Sequence, residues 1–105
     1  MIEVVIPTYK RPAFAIRAIW SVLELGSSEI RVFCHSNGFE SSIQRAFAED
    51  KRVRYEWFET NRGAISNFKA LIDKSSASYV LFLSDEDTMK PDQGDVLLAL
   101  VSQNV

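Results

Sequence analysis

The sequence is poor in several features that mark large classes of protein. Its single cysteine, Cys34, cannot form a disulfide within the chain and lies in an apolar pattern typical of a small buried side chain. No apolar run approaches the roughly 20 residues of a membrane-spanning helix, and the N-terminus lacks a signal-peptide layout. Twelve basic residues against 14 acidic ones leave no positive excess for nucleic acid. We therefore expect a cytoplasmic protein with no membrane segment in this chain and no nucleic-acid partner.

Glycine-rich phosphate-binding motifs are absent as well. Neither G-x-G-x-x-G nor G-x-x-x-x-G-K-[ST] occurs among the four glycines of the chain. A bound diphosphate would therefore meet mainly side chains and a metal ion. The remaining composition, 47% apolar and 25% charged over 105 residues, is that of a globular chain. A chain of this length buries about 60–70% of its unfolded surface, so we expect one domain over residues 1–105.

Apolar periodicity predicts four strands that alternate with four helices. The predicted strands cover residues 2–6, 29–34, 53–57 and 79–83. The predicted helices run from Ala13 to Leu25, from Ser41 or Ser42 through Phe47, along a stripe of Ile65, Phe68 and Ile72 flanked by Leu71, and from Pro91 onwards. This alternation predicts a three-layer α/β fold with a mostly parallel sheet, in Rossmann-like βαβαβαβα order, with helices on both faces.

The pattern within each element predicts its place in the fold. Pro7 is expected to end the first strand, and Trp20 is expected to belong to the core stripe of the first helix. The third strand alternates apolar and charged residues, which is typical of the edge of a sheet. The fourth, residues 79–83, is an unbroken apolar run, which is typical of a central strand covered on both faces.

The loops that follow parallel strands meet at one edge of the sheet, where open α/β folds bind their ligands. Four polar loops would gather there, at residues 7–11, 35–38, 60–63 and 84–87. They carry hydroxyls, amides, cations and an acidic cluster, a mixture that suits a phosphorylated, hydroxyl-rich ligand bound through a metal. His35 is a lone histidine without an acidic or histidine neighbour in the sequence, so it is predicted to be structural.

Three consecutive carboxylates, Asp85-Glu86-Asp87, follow the fourth strand. Neighbouring negative charges disfavour one another's ionisation, whereas a hard divalent cation such as Mg²⁺ or Mn²⁺ prefers carboxylate oxygens and would stabilise the group. The alternative is an acidic turn in which Asp87 or Thr88 caps a short helix before Pro91. The acidic residues by themselves are compatible with both interpretations.

Four motifs in order resemble family 2 glycosyltransferases with the GT-A fold. Val4 to Arg11 is similar to the V-V-I-P-T-Y-N-R opening of that family. The others are Ser21-Val22-Leu23, the pattern Asn61-x-Gly63-x-x-x-Asn67-Phe68, and the strand from Tyr79 to Leu83 followed by Ser84-Asp85-Glu86-Asp87-x-x-x-Pro91, which resembles the D-x-D loop. Together they span nearly the whole chain.

The resemblance implies a site for a nucleotide-diphosphate sugar, a UDP-sugar being favoured, with Mn²⁺ or Mg²⁺ as cofactor and an unidentified acceptor. The implied nucleotide-sugar-binding residues are Pro7, Thr8, Tyr9, Arg11, Ser36, Asn37, Arg62, Asn67 and Asp85. The implied metal ligands are Asp85, Glu86 and Asp87. Two departures matter: Ser36-Asn37-Gly38 stands where the family usually has an aspartate, and Ser84 replaces the first aspartate of the acidic loop.

The general base of the family comes from a segment well beyond the D-x-D loop, and we expect it beyond residue 105. The chain is therefore predicted to be a donor-binding half, incomplete at its C-terminus, that transfers no sugar by itself. An exposed apolar patch should then favour self-association into a homo-oligomer. Two alternatives remain: a non-catalytic nucleotide-binding or assembly module with the same fold, and a metal-dependent nucleotidyltransferase.

Overall fold

A computed structural model of the chain describes residues 1–103, in which four parallel strands alternate with four helices. The strands are β1 (Ile2–Thr8), β2 (Ile30–Asn37), β3 (Val53–Phe58) and β4 (Tyr79–Phe82). The helices are α1 (Pro12–Leu23), α2 (Ser41–Phe47), α3 (Ala64–Lys74) and α4 (Gln93–Ser102). The strand order is β3-β2-β1-β4, and every neighbouring pair is parallel. The predicted α/β class, element order and parallel sheet are confirmed.

The sheet is the middle of three layers, because side chains of β1 alternate between two apolar clusters. Ile2, Val4 and Ile6 belong to the larger cluster, to which α1, α2 and α4 contribute. Val5 points to the other face, where it packs with Phe33 of β2 and Leu71 of α3. Burial of both faces explains why β1 reads as an almost continuous apolar run. In the part of the chain described, no helix is long and apolar enough to cross a membrane.

β1 continues through Pro7, contrary to the prediction that this proline ends the strand. The backbone carbonyl of Val5 accepts a hydrogen bond from the amide of Leu83, so Val5 directs its backbone groups towards β4. Pro7, two residues later, faces the same side, but β4 has ended at Phe82. The missing N–H of Pro7 therefore costs no ladder hydrogen bond.

β2 also extends further than predicted. His35, Ser36 and Asn37 were expected in a loop, but they are the last three residues of the strand and are buried. They pair with β1 on one side and β3 on the other, Thr8 standing opposite Ser36 and Phe58 opposite Asn37. Side-chain chemistry typical of a turn was misleading here, because these polar groups find hydrogen-bond partners inside the fold.

β4 is an edge strand within the described sheet, and the prediction of a central position is wrong for this chain. The edge position predicted for β3 is confirmed at the opposite side. One face of β4 packs on the larger cluster through Tyr79 and Leu81. Its other face is open: Val80 is 41% exposed and Phe82 is 51% exposed.

α3 packs on the sheet through a different stripe from the one predicted. Leu71 and Asn67 are buried against β1 and β2, whereas Ile65 is 86% exposed and Phe68 and Ile72 are about half as exposed. Phe68 of this stripe contacts the edge strand β4 through Phe82, with ring centroids 5.3 Å apart.

The remaining helices confirm most of the predicted core, with one exception on α1. Ile19 and Leu23 of the predicted apolar stripe are buried, and Ile16 packs partly buried against the same cluster. Trp20, which was placed in that stripe, is 43% exposed and instead rests against the rim of the core, its ring 5.3 Å from that of Phe47. α4 begins at Gln93, two residues after the proline predicted to start it.

Candidate functional site

The crevice between β1 and β4 is the point at which the strand order reverses. The chain leaves β1 to form β2 and β3 on one side, then returns through α3 to place β4 on the other side. Loops at such a switch point diverge, and open α/β sheets bind ligands in the gap. The residues that flank this gap come from the end of β1, residues 8–11, and from the loop after β4, residues 83–87.

Thr8, Arg11 and Asp85 form a hydrogen-bonded corner in this crevice. The Thr8 hydroxyl Oγ1 donates to Asp85 Oδ2 at 2.8 Å, and Arg11 Nη2 lies 3.0 Å from Asp85 Oδ1. Asp85 is only 2% exposed, and a carboxylate buried to that degree requires such partners. Both of its oxygens are engaged. Arg11 also pairs with Glu86, and 43% of its side chain remains exposed to solvent.

The other two carboxylates of the acidic loop lie on the surface and differ from each other. Glu86 Oε1 pairs with Nη1 of Arg11, and the Glu86 backbone carbonyl accepts a hydrogen bond from Arg17 Nη2 at 3.2 Å. The Asp87 amide closes a turn onto the Ser84 carbonyl at 3.0 Å. The Asp87 carboxylate has no hydrogen bond or ion pair with any residue of the described range 1–103.

The acidic loop does not form a ready-made cage for a metal. Within residues 1–103, no group of three or more histidine, cysteine, aspartate or glutamate side chains is arranged to hold an ion. Each Asp85 oxygen already has one partner, Glu86 pairs with Arg11, and the Asp87 carboxylate has no partner within residues 1–103. Mg²⁺ is commonly held by one or two carboxylates together with substrate phosphates and water. The residues present fit a cation that arrives with a diphosphate.

Asn67 is a buried connector rather than a surface group. Its Nδ2 donates to the backbone carbonyl of Thr8 at 3.2 Å, and its Oδ1 lies 2.6 Å from Nδ1 of His35. Only 2% of Asn67 is exposed. With both ends of its amide engaged inside the fold, Asn67 supports the end of β1 from behind the crevice.

Ser36, Asn37 and Arg62 lie at the end of β2 and in the loop before α3. The Ser36 hydroxyl donates to the carbonyl of Gly38. Asn37 Nδ2 donates to the Gly63 carbonyl at 3.0 Å, and Asn37 Oδ1 accepts from the Arg62 amide at 3.1 Å. Asn37 therefore shapes a loop in which Gly63 adopts φ 89°, a conformation that favours glycine. No hydrogen bond or ion pair found within residues 1–103 joins these side chains directly to Asp85.

The loop after β1 presents Tyr9 and a strained backbone beside the crevice. The Tyr9 ring is partly exposed, and Nζ of Lys10 lies 5.3 Å from its centroid. Lys10 has φ 54°, a left-handed conformation that is unfavourable for a residue with a side chain. Such outliers concentrate at functional sites, where the surrounding structure holds them.

Two residues of α1 to which the sequence analysis gave no role in the site anchor the segment after the acidic loop. Arg17 binds the backbone of Glu86, and Ser21 Oγ accepts a hydrogen bond from the Met89 amide at 2.9 Å. With Glu24, they recur at i, i+4 and i+7, a polar stripe that could have indicated a contact surface. This stripe lines an open groove of about 530 Å³.

Burial sets the charge state of two groups next to this network. It raises the pKa of the Cys34 thiol, an effect to which the negative charge of Asp85 adds. Cys34 is therefore the neutral, fully buried side chain that the sequence predicted. Burial also lowers the pKa of His35 below its ordinary value, so its imidazole is neutral near pH 7.

Comparison with solved structures finds the same fold in other proteins. Two crystal structures of S. aureus TarS superpose with TM-scores of 0.83 and 0.82, at 15% and 16% sequence identity. Each superposition covers 97% of this chain, but only 32% and 19% of the TarS chains. At this level of identity the likeness shows the shared GT-A fold.

The sequence itself decides the family. The profile of glycosyl transferase family 2 matches residues 3–104. The chain belongs to glycosyl transferase family 2. The family resemblance carried by the four motifs is thereby confirmed, and the parallel sheet is that of a glycosyltransferase domain.

Family 2 relatives are much longer than this chain. An uncharacterized glycosyltransferase of Rickettsia bellii is 28% identical over 98% of this chain, which corresponds to 15% of that protein. A second, from Rickettsia conorii, is also 28% identical over 98% of this chain and 17% of its own length. The chain thus spans about one sixth of the curated relatives that it matches.

Proposed function

We propose that this chain is the donor-binding region of a glycosyltransferase, binding a nucleoside diphosphate sugar together with Mn²⁺ or Mg²⁺. A UDP-sugar is the favoured donor. The observation that carries the proposal is the Thr8–Asp85–Arg11 corner at the β1/β4 switch point, beside the free carboxylate of Asp87. It combines a hydrogen-bonded polar site, a partly exposed arginine and an exposed carboxylate at the edge where open α/β sheets bind ligands.

Each residue around the crevice has a role that its environment supports. The exposed Tyr9 ring would stack on the base, and Arg11 would use its open N–H groups near the ribose or the diphosphate. Asp85 would hold the loop after β4 against the end of β1 through Thr8 and Arg11, and it would border the ribose. Asp87, with Glu86, would hold the metal, which neutralises charge on the departing nucleoside diphosphate.

The acceptor and the catalytic base are not assigned to any residue here. Asp92 and Asp95 are the acids that follow the acidic loop, and they lie at the start of α4. Negative charge at a helix N-terminus is favourable by itself, which accounts for both. We therefore propose donor binding for this chain and keep sugar transfer as a property of a longer assembly.

A second candidate is a nucleotide-binding module without turnover. The observation that favours it is the full engagement of Asp85, which leaves fewer carboxylate oxygens for a metal than the acidic loop suggests. This module would bind the nucleotide through Tyr9 and Arg11 and would show little dependence on a divalent cation. Metal dependence therefore separates the two candidates.

Isothermal titration calorimetry with UDP, GDP, CDP and ADP, each with Mn²⁺ and with excess chelator, tests the proposal. We expect UDP to bind most tightly, with an affinity that falls strongly in excess chelator. Equal affinity for UDP in excess chelator would contradict the metal clamp and favour the non-catalytic module. The absence of binding by any nucleotide under both conditions would contradict donor binding altogether.

A further inference from the structure

His35 is a fully buried histidine with one nitrogen bonded and the other without a partner. Its Nδ1 lies 2.6 Å from Asn67 Oδ1. Its Nε2 has no hydrogen-bond partner among residues 1–103 and is shielded from solvent. The ring packs edge-on against Phe58, with centroids 4.6 Å apart, and more loosely against Phe33. A buried polar atom without a partner costs free energy, so the presence of this imidazole calls for an explanation.

The hydrogen-bond pattern fixes the position of the proton on His35. Asn67 Nδ2 faces the Thr8 carbonyl, which can only accept, so the amide is oriented with Oδ1 towards His35. Since an amide oxygen also only accepts, the proton must reside on His35 Nδ1. Nε2 then carries a buried lone pair without a hydrogen-bond partner among residues 1–103.

A continuous series of contacts leads from this imidazole to the candidate site. His35 holds the Asn67 amide, the amide holds the Thr8 carbonyl, and the Thr8 hydroxyl donates to Asp85. Thr8 is the last residue of β1, beyond the point where β4 pairs with that strand. Besides its pairing with Ser36 of β2, the Thr8 backbone is held by the Asn67 amide, which is itself bonded to His35.

We propose that His35 is a positioning residue for the donor site, acting through Asn67 to set the Thr8 hydroxyl against Asp85. The contrasting explanation is that the ring of His35 only fills space between Phe33 and Phe58. The proposal rests on the proposed function for its ligand-binding readout, but its structural part can be tested without ligand.

Two substitutions separate the hydrogen bond from the ring. His35→Phe keeps an aromatic ring of similar size and removes the N–H donor. His35→Asn keeps an amide nitrogen near the place of Nδ1 and leaves a cavity where the ring was. If His35 positions Asn67, affinity for UDP with Mn²⁺ should fall about 5- to 10-fold in His35→Phe and change less than about 3-fold in His35→Asn. Thermal stability should follow the opposite order.

An affinity that falls more in His35→Asn than in His35→Phe would overturn the proposal, since binding would then follow packing. Ser75→Ala is the matched control, because it removes a partly buried hydrogen bond from Ser75 Oγ to Glu3 Oε1, 2.6 Å long, near the other ends of the strands. We expect this control to lose stability and to keep the affinity of the unaltered protein.

Nuclear magnetic resonance of the ligand-free protein provides an independent test. Long-range ¹H–¹⁵N spectra should show Nδ1 of His35 protonated and Nε2 unprotonated, and the reverse tautomer would overturn the proposal without any variant. The backbone amide signals of Thr8 and Asp85 should move in His35→Phe and stay near their places in His35→Asn; equal movement in both would also overturn it. If the protein binds no UDP, these spectra still decide the role of His35 while the proposed function fails.

Discussion

At the scale of residues, the three acids of the loop after β4 have separate environments although they are consecutive. Asp85 turns inwards to Thr8 and Arg11, Glu86 lies on the surface beside the same arginine, and Asp87 is unpaired within the described chain. The backbone turns at these residues, where the Asp87 amide bonds to the Ser84 carbonyl, and adjacency in sequence does not give the three carboxylates a common environment. That all three hold a metal stays a prediction; the structure buries Asp85 and exposes Glu86 and Asp87.

The first prediction separates the metal clamp from the base contact. Asp87→Asn should weaken UDP binding about tenfold in Mn²⁺ and have little effect in chelator, because it removes charge from the metal side only. Tyr9→Ala should weaken binding in both conditions, since stacking does not need the ion. Calorimetry of both variants measures this, with Asp73→Asn, an exposed acid on α3, as control. Unchanged Mn²⁺ dependence in Asp87→Asn would contradict the metal-binding role of the loop and favour the alternative of an acidic turn.

The second prediction follows from the lowered pKa of His35. Burial lowers it, as do the charges of Lys74 and Arg54, whereas the hydrogen bond to Asn67 and the charge of Glu56 act in the opposite direction. Below pH 6.5 the unfolded chain takes up a proton at this residue that the folded chain does not. Stability should therefore decrease as pH falls through that value, by up to about 1.4 kcal/mol per pH unit.

Urea unfolding of the unaltered protein and of His35→Phe, between about pH 7.5 and about pH 5.5, measures this contribution as a difference. The unaltered protein should lose more stability on acidification than the variant does. A constant difference across the range would show that His35 titrates alike in both states. The variant serves as the control for the carboxylates, which titrate in both proteins.

At the scale of elements, periodicity located every helix and strand but misjudged several ends and faces. The predicted end of β2 is Cys34, because the polar residues after it resemble a turn. In the structure, pairing with β1 and β3 extends the strand to Asn37. On α3 the strongest apolar stripe was assigned to the core, whereas Asn67 and Leu71 face the sheet. Asn67 is the reason, because apolar periodicity does not place a polar residue on a buried face. Its hydrogen bonds to His35 and Thr8 allow it to be buried there.

The third prediction concerns the bond between the ends of β1 and β4. Thr8→Val keeps the shape of the side chain and removes the hydroxyl that donates to Asp85. It should destabilise the fold by about 1–3 kcal/mol, because a buried carboxylate oxygen loses its partner. Urea unfolding measures the loss, and Thr60→Val, the same change at an exposed threonine, is the control. Equal effects at both positions would show that the bond contributes nothing to joining the strands.

At the scale of the whole molecule, one surface is unusually apolar. This apolar face consists of Ile65, Phe68 and Ile72 of α3 together with Val80 and Phe82 of β4. It adjoins an edge strand that has no pairing partner on its outer side within the described sheet. Exposed apolar patches next to unpaired strands promote association. A second copy of this chain is the partner that we expect when residues 1–105 are studied alone.

The fourth prediction is that association is concentration-dependent and passes through this face. Phe82→Lys should shift the protein towards monomer, since a charge on an edge strand opposes pairing. Phe14→Lys, at a similarly exposed phenylalanine on α1, should leave the association unchanged. Sedimentation velocity over a wide concentration range measures both. A protein that is monomeric throughout, or equal effects of the two variants, would contradict the assignment.

The sequence by itself determined the parallel α/β architecture and the edge at which the polar loops gather. Strand and helix periods are local properties, and right-handed crossovers leave few ways to connect alternating elements. The tertiary structure alone decided that β4 lies at an edge of the sheet. It also decided that Asp85 is the buried carboxylate of the three in the acidic loop. A right-handed crossover can place β4 at either edge of the sheet. The environment of Asp85 depends on a threonine 77 residues away. Contacts at such separations have no counterpart in local periodicity, so they emerge only when the sheet is assembled.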